Sequence, residues 1–393
     1  MVRILFLLLL ANSISRAQEV LKLTLPEVVD RAKSQSIAAR QAVATRETKY
    51  WEYRTYLSNY KPQLVLSGNL PAFTRSYTQV QQPDGTIRFQ PVRNNNSALQ
   101  LNLSQTIGNT GGTLYAVSSL QRFDDFDRNN TLYNSTPVAI GYTQPIFQFN
   151  ALRWNRRIEP LKYKESQQAF HESLEQIAVK ATELYFDLLL GQINLQIAET
   201  NLRNTDNILR ITNEKFELGR TTRNEILQLQ LEQLKARKAL GTARRDVEVA
   251  SLNLKAYVGL SSDQQIELVV PAAMAKIDIQ ADKALSESFE NRSDAIAFAR
   301  RMEEANQAVA KARGDNSLNA TLTATLGLSN QGATIPDVYR RPENQQTIEI
   351  QFDIPILDWG RSRSRTKTAQ VTKQLTEYTL EQDKQNFRQE IYT

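Results

Sequence analysis

Two periodicities alternate along this chain. Short segments switch between apolar and polar residues at successive positions, whereas long segments repeat apolar residues every three or four positions. The first pattern is typical of a β-strand with one apolar face, and the second is typical of a helix with an apolar stripe. We therefore predict a mixed α and β fold, with strands at about 63–147 and about 319–357.

The strand alternation is clearest in residues 346–354. One face of this segment carries the large apolar residues Ile348, Ile350 and Phe352. The other face carries Glu349, Gln351 and Asp353. This alternation fits either a half-buried sheet of a soluble protein or a strand between lipid and water. Aromatic residues at the strand ends, such as Phe147 and Trp359, favour a transmembrane β-barrel over a soluble sandwich.

A heptad repeat of apolar and small residues occupies the middle of the chain. It runs from Leu195 to Phe216 in alternating steps of three and four positions, and it resumes from Ile226 to Tyr257. Such a repeat is typical of helices that pack along a coiled-coil seam. We predict an antiparallel helical hairpin at about 155–258, because only a short break separates the two repeats.

The break has the chemistry of one helix end and one helix start. Gly219 suits the left-handed conformation that ends a helix, and Thr222 with Glu225 has the spacing of a capping box. A second apolar edge follows the break: Leu227, Leu231 and Leu234. Two apolar edges let one hairpin contact partners on both sides, which a closed ring of helices requires.

The two halves of the chain share an order of elements. Predicted helices at Leu25–Lys61 and Ala284–Arg313 each precede strands and a further helix. We predict a first repeat at 18–260, a linker at 261–280 and a second repeat at 281–393. The second repeat is incomplete, as in a fragment or a natural truncation.

The segment at 72–135 is long and polar, and we predict a loop there that contains one hairpin at 99–120. Asp124, Asp125 and Asp127 lie in this segment and are interpreted as a solvated acidic loop, because the glycine and glutamate of a calcium loop are missing.

The N-terminus predicts export. A basic residue, an apolar run at 4–11 and the sequence Ser15-Arg16-Ala17 indicate a signal peptide at 1–17. The apolar run is much shorter than the ~20 residues of a membrane-spanning helix.

Composition excludes most catalytic and metal chemistry. The chain has 393 residues, no cysteine and one histidine, His171. Disulfides, thiolate metal sites, cysteine nucleophiles and paired-histidine sites are therefore excluded. The acid pair Glu303 and Glu304 is expected on exposed helix faces, and we predict no enzyme, no cofactor and no metal site. The net charge of +6 falls to +4 (46 − 42) when the predicted signal peptide, with Arg3 and Arg16, is removed, and this charge is too diffuse to indicate nucleic acid. The basic run at 361–367 is interpreted as a polar junction or a solvated helix start.

Three segments resemble the TolC-type outer membrane efflux protein family. The segment from Phe216 to Leu227 is similar to that family's aromatic-x-x-Gly-x-x-Ser/Thr-x-x-acidic-hydrophobic-Leu tip. Leu25–Ala32 is similar to its opening helix, and Asn291–Ile296 resembles the start of its second repeat, with Ser293 in place of a proline. In this order the motifs cover residues 20–393.

The resemblance implies a homotrimer in the outer membrane. Each chain would give strands to one β-barrel and helices to a long periplasmic α-barrel. A docking tip for a periplasmic adaptor, joined to an inner-membrane pump, would consist of Phe216, Gly219, Arg220, Thr221 and Thr222. On this interpretation Glu349, Gln351 and Asp353 face the lumen, and Ile348, Ile350 and Phe352 face lipid.

The implied function is a passive exit duct of a tripartite efflux or type I secretion system that exports small molecules or proteins. The alternative is a periplasmic coiled-coil scaffold or interaction protein with a soluble β-sheet. No gate residue is assigned, because the second helical tip that carries the gate in the family is absent from this sequence.

Overall fold

A computed structural model describes residues 20–271 and 278–393. The predicted signal peptide at 1–17 lies outside the described residues. The chain divides into two compact units, one formed by the residues up to Thr48 with Gln167–Gln280 and the other by Lys49–Ser166 with Ala281–Thr393. The mixed fold of helices and strands is confirmed.

The helices are α1 (Leu25–Gln35), α2 (Ile37–Ser58), α3 (Ala151–Glu217), α4 (Arg223–Val258), α5 (Ala281–Asn291), α6 (Ser293–Asp315), α7 (Asp337–Arg340) and α8 (Arg361–Tyr392). The strands are β1 (Leu21–Leu23), β2 (Gln63–Asn69), β3 (Phe73–Gln81), β4 (Ile87–Thr106), β5 (Thr113–Asp125), β6 (Asn130–Ile146), β7 (Ile266–Leu268), β8 (Asn319–Gly332) and β9 (Glu343–Asp353).

The first unit has a hydrophobic core between α1, α3, α4 and a small parallel sheet. Tyr185 and Leu188 of α3 and Leu254 of α4 are fully buried in it. β1 pairs in parallel with β7, which places Leu21 opposite Ile266. The expected linker at 261–280 therefore contains a core strand. Only three residues long, β7 is too short to show a period in the sequence.

The α3–α4 hairpin forms as the heptad repeat predicts. The seam positions Leu195, Ala198, Leu202, Thr205, Leu209 and Thr212 of α3 are half-buried by the same chain, whereas Phe216, the last predicted seam position, is exposed. On α4 the seam positions Ile226, Leu229, Gln233, Ala236, Ala243, Val247, Ala250 and Tyr257 are half-buried, and Leu240 and Leu254 are buried. A hydrogen bond from Gln233 Nε2 to Asp206 Oδ1 at 2.7 Å joins the two helices. The second edge, with Leu227, Leu231 and Leu234, stays exposed.

The second unit contains an antiparallel seven-stranded sheet. Its order is β2-β4-β5-β6-β8-β9, and β3 pairs with the far half of β4. β4 has 20 residues, so it is long enough to pair with β2 and β3 in succession. Chain order places the ends that join the helices α2, α3, α6 and α8 at one end of the sheet. The connections that follow β3, β5 and β8 lie at the other end, and the one after β8 contains α7.

The predicted polar loop at 72–135 is wrong over most of its length. β3, β4 and β5 occupy it, and Asn95 of β4 lies directly opposite Asp124 of β5. Asp124 is 7% exposed, so it is not part of a solvated loop. Its carboxylate accepts hydrogen bonds from Asn95, Arg122 and Thr131 at 2.8–3.0 Å. The polar composition suggested a loop because nothing in the local sequence shows that these polar side chains will satisfy one another. They meet only when β4, β5 and β6 pair.

The two predicted helices that precede the strands are each broken into two. Ser36 separates α1 from α2, and its buried hydroxyl accepts the backbone N–H of Ala39 at 3.0 Å. Arg292 separates α5 from α6 in an extended conformation. Neither break contains a proline or a glycine, so neither was predicted. α6 then packs on α8 through Phe298, Leu380 and Phe387.

Candidate functional site

One face of the sheet consists of apolar side chains, and no other described element of the chain packs over it. Direct strand pairing aligns a row across five strands: Leu64, Leu103, Ala116, Ile140 and Leu326. A second row contains Leu114, Tyr142, Ala324 and Ile348. Paired residues of antiparallel strands share a face, so these rows form one surface. The exposed fraction of Leu64, Ile140 and Leu326 is above one half.

The opposite face is polar and rich in threonine. Its central row contains Ser104, Tyr115, Gly141, Thr325 and Thr347. The Tyr115 hydroxyl lies 2.8 Å from the Thr325 hydroxyl. Its ring crosses Gly141 so closely that a Cβ at this position would overlap it. The sheet therefore presents hydrocarbon on one side and hydrogen-bonding groups on the other.

The predicted site residues of β9 divide between these two faces. Ile348 and Ile350 extend the apolar rows, since they lie opposite Ala324 and Leu322 of β8. Phe352 lies opposite Ala320 on the same face. Glu349, Gln351 and Asp353 lie opposite Thr323, Thr321 and Asn319 on the polar face. Both faces of β9 are exposed, and the side chain of Ile348 reaches 77%.

Exposed aromatic residues lie where the strands meet the helices. Phe147 follows β6 and Trp359 precedes α8, and both have positive φ, 63° and 55°. Bulky residues rarely adopt this conformation, so the backbone holds both rings at a cost. Asp358 accepts the backbone N–H groups of Gly360 and Ser362 at 3.0 and 2.8 Å. Hydrogen bonds, above all those from Ser362, hold the pKa of Asp358 below its usual value.

The five predicted tip residues lie in and beside the turn between α3 and α4. Gly219 has φ 71°, as predicted for a helix end. The backbone N–H of Arg220 donates to the Lys215 carbonyl at 2.9 Å, which closes the last turn of α3. Phe216 and Gly219 to Thr222 are brought together by this turn, and most of them are exposed.

The capping box forms only in part. The Thr222 hydroxyl accepts the backbone N–H of Glu225 at 3.4 Å, as predicted. The Glu225 carboxylate, however, accepts from the Thr221 hydroxyl instead of the backbone of Thr222. Thr221 and Thr222 therefore both help to begin α4.

An ion-pair network joins α3 and α6 in the second unit. Arg300 contacts Glu165 at 2.5 Å and Glu304 at 2.8 Å, and its guanidinium is mostly buried. The hydrogen bonds that Arg300 donates to Glu165 are the main cause that raises the pKa of Arg300 above its usual value. Glu303 lies 3.8 Å from Arg157. The expectation that Glu303 and Glu304 lie on exposed faces is wrong, since these cations hold both acids between helices.

Other candidate residues remain dispersed. His171 is exposed on α3 beside the Phe170 ring. Arg361, Arg363 and Lys367 are exposed at the start of α8. Across residues 20–271 and 278–393, no group of three or more His, Asp or Glu side chains forms a metal site. In the same ranges, no helix combines the length and apolarity needed to cross a bilayer.

Comparison with known proteins agrees with this geometry. Residues 98–260 match the family model described as outer membrane efflux protein. The resemblance predicted from the motifs is confirmed. The matched region begins in β4 and ends just after α4, so it includes part of β4, the strands β5 and β6 and the complete helical hairpin.

Similar chains include one curated relative and several channels of known structure. The alkaline protease secretion protein AprF of Pseudomonas aeruginosa is 23% identical over 286 residues, which cover 70% of this chain and 56% of AprF. The chain therefore spans little more than half the length of this relative. The outer membrane channel CmeC of Campylobacter jejuni has a TM-score of 0.62 at 16% identity, over 91% of this chain and 67% of CmeC. The outer-membrane channel OprN has a TM-score of 0.64 at 13% identity, over 93% and 72%. These channels share the fold.

Two features of the site were missed by sequence reasoning. The first is the β3–β4 hairpin, whose alternation of aromatic and basic residues was hidden by its polar composition. The second is the ion-pair network of Arg300, whose partner Glu165 is 135 positions away in the sequence and whose partner Glu304 is 4 positions away. The alternation of β3 is a signal that could have been found, whereas the network has none in the sequence.

Proposed function

We propose that this chain is a subunit of an outer membrane channel that serves as the passive exit duct of a tripartite efflux or type I secretion system. The observation that carries the proposal is the two-faced sheet. Its apolar face fits lipid, and its threonine-rich face, with Glu349, Gln351 and Asp353 at one edge, fits a water-filled lumen. The similarity to outer membrane efflux proteins supports this location.

The open edges of the sheet support assembly of several copies. Within the described residues, β2 and β9 each pair on one side only. Backbone groups inside a bilayer need hydrogen-bond partners, so each edge requires another strand. We propose that β9 of one copy pairs with β2 of the next in a homotrimer that closes one barrel.

The exposed edge of the hairpin supports contact with neighbouring helices. Leu227, Leu231 and Leu234 form this edge, and small residues in the seam allow close helix approach. We propose that hairpins of three copies form a periplasmic α-barrel. Its tip, at Phe216, Gly219, Arg220, Thr221 and Thr222, would dock a periplasmic adaptor that is joined to an inner-membrane pump.

The chemistry of the chain fits conduction without catalysis. AprF is named for secretion of a protease, and CmeC and OprN are described as outer membrane channels. We propose the same class of role here, export after cleavage of a signal peptide at 1–17. Selectivity would then be set by the pump, since the polar face offers hydroxyl and carboxylate groups and no built site.

Fractionation of cells that express the chain tests the proposal. We expect the protein in the outer membrane, resistant to a urea wash, released by detergent and trimeric by light scattering. Recovery as a soluble periplasmic protein would contradict the proposal and would support the alternative of a coiled-coil scaffold with a soluble sheet.

A further inference from the structure

The β3–β4 hairpin extends the sheet beyond its apolar rows. Side chains of β4 alternate between faces, so Arg93 shares a face with Leu99, Leu101 and Leu103. Six positions separate Arg93 from Leu99, which is about 20 Å along a strand at ~3.3 Å per residue. The hairpin lies at the end of the sheet opposite the helices, so in the proposed channel it rises from the outer leaflet.

A self-satisfied polar cluster separates the apolar rows from the hairpin. Asp124 accepts hydrogen bonds from Asn95 and Arg122, and Ser97 donates to Asn95 at 2.8 Å. Asn95 and Ser97 share the face of Leu99 by the same alternation. The apolar surface therefore ends in a polar layer, and the charged part of the hairpin lies above that layer.

Two arginines lie directly opposite each other above this layer. Arg75 of β3 pairs with Arg93 of β4 in the register of the hairpin. Like charges at directly opposite positions destabilise a strand pair, with Cβ atoms about 4.5–5.5 Å apart. Among the residues that the structure describes, the only carboxylate within 4.0 Å of either guanidinium group is that of Asp127, 3.9 Å from Arg93 Nε. The guanidinium group of Arg75 has no hydrogen bond or ion pair with any described residue, although its backbone belongs to the β3–β4 ladder.

Exposed aromatic rings flank the arginine pair on the same face. Phe73 and Tyr77 precede and follow Arg75 at two positions, and Phe89 lies on β4 beyond them. All three rings are more than half exposed. Arg88, in contrast, points to the opposite face, since it lies opposite Val80 at an even position of β4. The aromatic and basic side chains are thus concentrated on the face that continues the apolar rows.

We propose that this surface binds the phosphorylated saccharide headgroups of glycolipids in the outer leaflet. A phosphate between Arg75 and Arg93 would neutralise the repulsion of the pair and accept charge-assisted hydrogen bonds from both guanidinium groups. Phe73, Tyr77 and Phe89 would lie against the less polar faces of the sugars. The inference rests on the proposed function, because it requires that the apolar rows lie in the outer membrane.

Lipid retention by the purified channel tests the inference. The full chain is inserted into phosphatidylethanolamine vesicles that contain bisphosphorylated lipid A, extracted with mild detergent and examined by native mass spectrometry. We expect about a tenfold lower retention of lipid A by the double variant Arg75→Gln/Arg93→Gln, the effect of losing about 1.4 kcal/mol. Arg88→Gln, with the same change on the other face of the same hairpin, should retain lipid A as the wild type does.

A charge reversal separates binding from hairpin stability. Arg75→Glu creates an opposite-charge pair with Arg93, so it should raise the thermal stability of the lipid-free protein and still lose lipid A. Equal retention by wild type and Arg75→Glu would overturn the inference. Equal retention of lipid A and of its fully dephosphorylated form would also overturn the inference. The same holds if inorganic phosphate displaces lipid A from the protein at concentrations that leave the vesicles intact.

The same experiment distinguishes the two proposals. If the wild type does not enter vesicles at all, both the channel and the glycolipid surface are wrong. If it enters vesicles and all variants retain lipid A alike, the channel stands and the glycolipid surface is wrong. Specific retention of an acidic protein in place of lipid A would also overturn the glycolipid as the occupant.

Discussion

The α3–α4 hairpin and the seven-stranded sheet have equally regular patterns of apolar residues, but the apolar side chains differ in how far the chain itself buries them. In the hairpin, the seam positions from Leu195 to Thr212 are covered by residues of the same chain. In the sheet, Leu64, Ile140 and Leu326 form a continuous row that no described residue covers. Periodicity therefore identifies which face is apolar, whereas the structure identifies whether the chain itself supplies the cover.

The largest effect is expected in the core of the first unit. Leu188→Ala removes a fully buried side chain, so it should lower the free energy of unfolding by about 2–5 kcal/mol. Leu190→Ala is a matched control on the same helix, where the side chain is 57% exposed and the loss should stay below about 0.5 kcal/mol. Denaturant unfolding measures both. Similar losses for the two variants would mean that α3 does not face the core as described.

A charge on the sheet should have an effect that depends on the face. Ile348→Arg places a guanidinium on the apolar face and should destabilise the membrane-inserted protein by roughly 2–4 kcal/mol if that face contacts lipid. Glu349→Arg, one residue away on the polar face, should leave insertion intact. Urea titration in vesicles compares them. Equal tolerance of both substitutions would contradict a lipid-facing Ile348.

Replacing either of two glycines of the α3–α4 hairpin by alanine should change the free energy of unfolding, with opposite signs at the two positions. Gly219 has φ 71°, so Gly219→Ala should cost about 1–2 kcal/mol through the left-handed backbone alone, since no atom lies near a Cβ there. Gly241 lies in the interior of α4 with open space around it, so Gly241→Ala should stabilise by about 0.5–1 kcal/mol. Thermal unfolding of the two variants checks the sign. A stabilising Gly219→Ala would rule out the left-handed turn.

The smallest effect is expected at the start of α1 and depends on pH. The Glu27 carboxylate accepts the backbone N–H and the hydroxyl of Thr24, both at 2.8 Å, and the backbone hydrogen bond is the main cause that lowers its pKa below 4.5. Because the folded state favours the charged form, this contribution to stability is complete above pH 4.5 and is lost as the pH falls through the lowered value.

Glu27→Gln should therefore reduce stability at neutral pH and weaken the acid dependence of the melting temperature. Glu248→Gln, on an exposed face of α4, serves as the control and should leave the acid dependence unchanged. Parallel curves for wild type and Glu27→Gln would contradict a role for this carboxylate in capping α1.

Sequence reasoning succeeded where the determinants are local. The seam positions and the left-handed Gly219 depend on residues within one or two helical turns, so the heptad and the glycine were sufficient to predict them. The two faces of β9 were likewise predicted, because alternation at Ile348 and Glu349 is a property of consecutive residues. Which environment each face meets stays a prediction.

The missed features depend on partners that are distant in sequence. Asn95 and Asp124 lie 29 residues apart and become strand residues because they pair with each other. β7 is a strand because β1 and the buried face of α3 are available to it. Ser36 interrupts a helix in a segment rich in alanine, where the hydroxyl rather than a proline or glycine makes the break. None of these partners is visible in a local pattern.

The two open edges of the sheet have a consequence for how the proposed channel would assemble. A lone copy would carry rows of bare amide and carbonyl groups at β2 and β9 into hydrocarbon, which is too costly to occur alone. In the proposed channel, association of the copies would accordingly come before or together with insertion. The rate at which the proposed assembly forms should then increase more than proportionally with the concentration of exported chain. At low expression, uninserted protein would therefore accumulate in the periplasm.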